Sequence, residues 1–155
     1  MQIDPRDPQF NAALTSVVLL LVLLSAPRFV GVTLLAVQAV LFGVGAALGV
    51  QRTPAAYLFR TFVRPRLSPP AALEDAGPPR FAQGVGLAFA LTGLVGYLSG
   101  PTWLGVAATA LALVAALLNA VLRFCLGCRL YGVCNLDTKK LRNASINTNQ
   151  EEALV

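Results

Sequence analysis

The chain has 155 residues, 56% of them hydrophobic and 12% charged, with a net charge of +5, three cysteines and no histidine. A soluble domain of this size still exposes about 30% of the surface of its unfolded chain, too much for this composition to cover with polar groups. The balance excludes an ordinary soluble domain and predicts an all-α polytopic membrane protein, while the missing histidine excludes a His-ligated haem.

In chain order, four stretches approach the roughly 20 apolar residues that a helix needs to cross a ~30 Å hydrocarbon layer. They run about 10–26, 29–50, 81–99 and 103–124, and none holds Asp, Glu, Lys or Arg except Arg123 at the last edge. The first is the shortest. Acidic and basic residues precede it, no small-residue cleavage pattern follows, and three more spans come after it, so it reads as a membrane helix rather than a secretory signal. Tight Pro-containing turns at 25–29 and 99–103 join spans one to two and three to four into two hairpins. Gly45-x-x-x-Gly49 and Gly96-x-x-x-Gly100 offer small-residue faces for close helix approach, and Gln38 and Asn119 can hydrogen-bond across helices. No ionisable residue lies deep in a span, which disfavours an ion-coupled transporter.

The loop 51–80 between the hairpins is long and rich in Pro and Arg. Thr53 as N-cap and Pro54 at the first helical position predict a short helix, with Phe59, Phe62 and Val63 on one stripe and Arg60 and Arg64 on another. Such a segment is expected to lie along the membrane interface, aromatic side down. Beyond it the Pro-rich stretch cannot continue as helix. Glu74 and Asp75 form an exposed acidic pair too isolated for acid/base chemistry. A weak echo between "PQFNAAL" and "PRFAQGV" at the starts of spans one and three is consistent with two similarly oriented hairpins related by an axis along the membrane normal.

Basic residues sort with this topology. Eleven of the twelve Lys and Arg residues fall before span one, in the middle loop, or at and after the end of span four; only Arg28 lies on the other side. The positive-inside rule then places both termini and the middle loop in the cytoplasm. The basic residues edge the membrane and suit the lipid bilayer's anionic headgroups; they form no nucleic-acid signature.

All three cysteines lie in "RFCLGCRLYGVCN", residues 123–135, directly after span four. If the helix continued through it, Cys125 and Cys128 would share one face at i and i+3, and Arg129 would stand one turn from Cys125, favouring its thiolate. A helix C-terminus works against that charge. Cys134 is an auxiliary third thiol. As a metal set, Cys125, Cys128 and Cys134 fall one short of the usual four zinc ligands, with Asp137 or a second subunit needed to close it, although three thiolates can hold Cu(I). The remaining alternative is three small side chains without chemistry in a non-enzymatic scaffold. No cofactor is evident apart from such a thiolate-bound metal, and no residue pattern fixes an oligomeric state. Residues 1–135 thus make the membrane domain, and 136–155 a polar cytoplasmic tail expected to be disordered.

The stretches "DPRDPQFNAALT", "FRTFVRPRL", "EDAGPPRFAQGVGLAFA" and "LLNAVLRFCLGCRLY" together resemble the bacterial integral-membrane family catalogued as domain of unknown function 4395. The resemblance covers about residues 1–131, and Cys125, Cys128 and Tyr131 match its Cys-Leu-Gly-Cys-x-x-Tyr ending. It implies a four-helix protein of the bacterial inner membrane whose relatives are often encoded beside thioredoxin-like or sulfurtransferase proteins; it implies no catalytic residue. Quinone-linked thiol oxidases also carry a Cys-x-x-Cys at a helix end, but they work on the outer face and generally with a second cysteine pair, which this chain lacks. The sequence therefore predicts a cytoplasmic Cys125/Cys128 dithiol that exchanges electrons or sulfur with a thioredoxin-like or sulfurtransferase partner.

Overall fold

Inside a bilayer each backbone N–H and C=O must find its partner within the protein, so runs of Leu, Val and Ala resolve into helices. The computed structural model describes residues 2–4, 6–68 and 74–122. Four long helices are formed: α1 (Arg6–Ser25), α2 (Phe29–Leu48), α4 (Gly77–Ser99) and α5 (Thr102–Leu122). Each is long and apolar enough to cross a membrane, the architecture of a multi-pass membrane protein. Between the hairpins lie a 3₁₀ turn (Val50–Arg52), the short helix α3 (Pro54–Leu58), a π-helical turn (Phe59–Val63) and a second 3₁₀ turn (Arg64–Arg66). One antiparallel pairing of two-residue strands, β1 (Gln2–Ile3) with β2 (Glu74–Asp75), is the extended structure among the described residues.

The helices stand in a ring. α1 packs on α2 and α5, and α4 packs on α2 and α5. Exchanging α1 with α4 and α2 with α5 leaves this pattern unchanged, as two hairpins related by a two-fold axis along the bundle require. One end of the bundle, the turn end, holds residues 26–28 and 100–101. The other, the loop end, holds the start of α1, the end of α2, the connecting segment and the start of α4.

The ring turns apolar side chains outward, as lipid requires, and fills its interior with large and small apolar residues and a few polar ones. Val17, Leu24, Val40, Leu98 and Val121 are each more than half exposed. Inside sit Leu19, Val22 and Leu35 with Ala90, Tyr97 and Ala112. Gln38 is buried, and its Nε2 donates to Thr15 Oγ1 at 3.4 Å, the cross-helix bond expected of it. Asn119 is half-buried near the end of α5. The α4–α5 crossing is closer. A Cβ at Gly96 would run into Gly105 N and come within 2.8 Å of Gly105 Cα, while Tyr97 lays its ring over Gly105.

Several expectations are corrected. Only the first glycine of each Gly-x-x-x-Gly serves as a face: Gly45 meets Gln83 and Gly96 meets Gly105, whereas Gly49 (φ 96°) and Gly100 (φ 107°) end α2 and α4 in backbone that side chains rarely adopt. Helix α1 begins at Arg6 rather than residue 10, because Asp4 supplies a start: its Oδ1 accepts from Arg6 N at 3.0 Å and its carbonyl from Asp7 N at 3.1 Å. Helix α4 begins at Gly77, four residues before the first apolar position at 81, since Pro78 and Pro79 in the first turn need no N–H partner. The middle-loop stripe is also different. Thr53 caps α3 by accepting from Ala56 N at 3.3 Å, as expected, but Phe59 is buried against the bundle and Phe62 is 56% exposed, so the two aromatics face opposite ways.

Candidate functional site

The loop end, toward which α5 leads before the cysteines follow in sequence, is in its described part a set of ties that fix the helix ends to one another. Four carbonyls at the end of any helix lack partners within it. At the end of α2 two of them, those of Ala46 and Ala47, accept from the Arg80 guanidinium, Nε to Ala46 at 2.6 Å and NH2 to Ala47. A cation there also opposes the negative end of the helix dipole. Because Arg80 stands in the first turn of α4, this cap joins the two hairpins.

A second tie holds the connecting segment to α1. Arg6 NH1 donates to the Ser68 carbonyl at 3.0 Å, β1 pairs with β2 in the register Gln2 to Asp75 and Ile3 to Glu74, and the Phe59 ring meets Phe10 with centroids 5.8 Å apart. Asp75 has a structural role, its Oδ1 accepting from Gly77 N at 3.2 Å just ahead of α4. Asp7, in the first turn of α1, is buried at 7% exposure with the Arg60 guanidinium as its opposing charge. Neither Arg80 as a cap nor Asp7 as a buried acid was singled out in the sequence; an Arg just after Pro-Pro in a helix's first turn, facing the end of the preceding helix, is the signal for the former.

Among the described residues, no cluster of three or more His, Cys, Asp or Glu stands ready for a metal ion. Cys125, Cys128, Cys134 and Arg129, the residues expected to carry chemistry, lie outside the described residues, as does the polar tail 136–155. What is described is the approach to them: α5 runs antiparallel to α4 as far as Leu122, toward the loop end, and Cys125 follows three positions later in sequence. The same end carries exposed arginines at 52, 60, 64, 66 and 80.

Residues 3–135 match the family described as "Domain of unknown function (DUF4395)", and the chain belongs to that family. No curated protein and no solved structure matches it.

Proposed function

We propose that this protein is a component of thiol–disulfide or sulfur exchange in a bacterial inner membrane, with both termini and the loop end in the cytoplasm and the Cys125/Cys128 pair as its reactive dithiol. One observation carries the reading: in sequence a Cys-x-x-Cys begins three positions after the end of α5, a helix that runs toward the end of the bundle where exposed arginines gather. Positive charge near a thiol favours the thiolate, the form that attacks.

The chemistry is exchange with a thioredoxin-like partner. A Cys125 thiolate attacks one sulfur of the partner's disulfide; a mixed disulfide forms as the partner's own S–S bond breaks, and its second sulfur leaves as thiolate. The Cys128 thiolate then displaces the bound partner sulfur. Cys125 and Cys128 end as a disulfide, two electrons pass to the partner, and the protons released by the two thiols match those its thiolates take up. Run backwards, the sequence draws two electrons from a reduced partner. With a sulfurtransferase, the Cys125 thiolate takes the terminal sulfur of the partner's persulfide and the partner leaves as thiolate.

Removing the resolving thiol tests this. Cys128→Ser is expected to accumulate a partner adduct on a non-reducing gel that dithiothreitol releases, and Cys125→Ser reports the reverse assignment of attacker. If neither variant traps a protein, and the double variant changes neither bound metal nor thiol redox state in cells, the cysteines are packing residues and the protein is a scaffold. Orientation is read separately: Cys128 is expected to react with a membrane-impermeant maleimide only after lysis, and full labelling of intact cells would reverse the topology.

A further inference from the structure

The segment from α3 through the π turn has two faces, and only one is used by the bundle. Ala56 and Phe59 are buried and Val63 is half-buried, an i, i+3, i+7 stripe that seats the segment on the start of α1. The opposite face carries Tyr57 (70% exposed), Leu58 (41%) and Phe62 (56%), flanked by the exposed Arg60 and Arg64. From Gln51 to Ser68 there are four arginines and no Asp or Glu. Aromatic and aliphatic side chains alternating with exposed guanidinium groups, of which Arg60 also faces the buried Asp7, match, at the level where membrane helices end, the interface of an anionic bilayer: apolar groups enter the acyl boundary while cations meet phosphates. A basic protein surface of this kind without exposed aromatics would suit an acidic soluble partner equally well; the exposed Tyr57 and Phe62 favour lipid.

We propose that this outer face is a docking surface for anionic phospholipid headgroups, with Arg60 and Arg64 pairing the phosphates and Tyr57 and Phe62 reaching the acyl boundary. Aromatic contact thus comes from Phe62 and not from Phe59, which is committed to Phe10. The surface is independent of the dithiol reading and stands or falls without it.

The test places a tryptophan on the face of the full chain. Phe62→Trp in a Trp103→Phe background gives a single tryptophan, since Trp103 is the only one in the sequence. The protein is reconstituted in nanodiscs of mixed phosphatidylglycerol and phosphatidylcholine, with brominated acyl chains carried by one lipid or the other at equal mole fraction. Brominated phosphatidylglycerol is expected to quench at least about twice as strongly. Arg60→Gln with Arg64→Gln is expected to equalise the two, because each cation at an anionic surface contributes on the order of a fivefold preference. Equal quenching in the parent background overturns headgroup selection. Quenching by neither lipid places the face in water, where a soluble protein could cover it, and overturns the proposal altogether. Tyr57→Trp in the same background must rank the lipids the same way, so one poorly folding variant leaves the result decisive.

Discussion

Hairpins α1–α2 and α4–α5 occupy equivalent places in the ring, yet their inner faces are built from different materials. Along α1–α2 side chains fill the interior, with Leu19, Val22 and Leu35 in the core and Gln38 reaching Thr15, and bare backbone closes up beside the turn, where Gly31 sits against Ser25 and Ala26. In α4–α5 the helices meet through backbone, with Gly96 set on Gly105, Tyr97 covering it, and Thr109 Oγ1 turned back onto the Gly105 carbonyl at 2.8 Å. Lipid tails supply no hydrophobic drive for helix association, so a membrane bundle must choose between interlocking side chains with polar links and near-contact of bare backbone. This protein leans on side chains along α1–α2, with a backbone approach beside its turn, and on backbone in α4–α5. The consequence is a difference in tolerance: a side-chain interface can repack, whereas a backbone interface has nothing that can yield.

The sharpest way to break that contrast is Gly96→Leu. Its side chain would start inside the Gly105 backbone, and the variant is expected to lose about 3 kcal/mol or more, read as loss of helicity on titrating sodium dodecyl sulfate into mild-detergent micelles. Survival of Gly96→Leu at parental stability would mean the hairpin is not held by that crossing. Next, Gln38→Ala is expected to cost about 1–2 kcal/mol in the same titration, from lost packing and the bond to Thr15, with Gln38→Leu recovering most of it because a side-chain interface accepts a similar volume. Tyr97→Phe is expected to be neutral or to stabilise by up to about 1 kcal/mol, since the Tyr97 hydroxyl is buried with no hydrogen-bond partner among the described residues. Smallest of all, Gly84→Ala is expected to change stability by less than about 1 kcal/mol: among the described residues nothing lies within 4 Å of the added methyl, which isolates helix propensity from packing. A large loss at Gly84 would show that it, too, meets a neighbour.

The sequence read well wherever one physical quantity decided the outcome. Hydropathy located the four spans, Thr53-Pro54 located the start of α3, and an amide alone among aliphatic neighbours at Gln38 could only seek a partner across the bundle. It read poorly where two quantities compete. Gly49 and Gly100 satisfy a small-residue spacing and a helix-ending role alike, and only the backbone path separates them. Phe59 and Phe62 share an apolar character, and the π-helical turn at Phe59–Val63 shifts the angular spacing that an ideal helix would assign. The start of α1 depends on Asp4 hydrogen bonds, to which hydropathy is blind. Of the candidate site, the sequence names the thiols, which lie outside the described residues, and the structure shows the basic end toward which α5 runs, braced by Arg6 and Arg80.

The ring order bears on how the protein is made. α1 has neighbours on two sides, α2 and α5, and these are the first and the last of its partners to leave the ribosome. Until α5 has been inserted, α1 and α4 each present one unmatched flank to lipid, including the bare backbone at Gly96. Membrane assembly therefore proceeds by closure rather than by accretion. The early hairpin must wait, partly solvated by acyl chains, for a final helix that completes both remaining contacts at once.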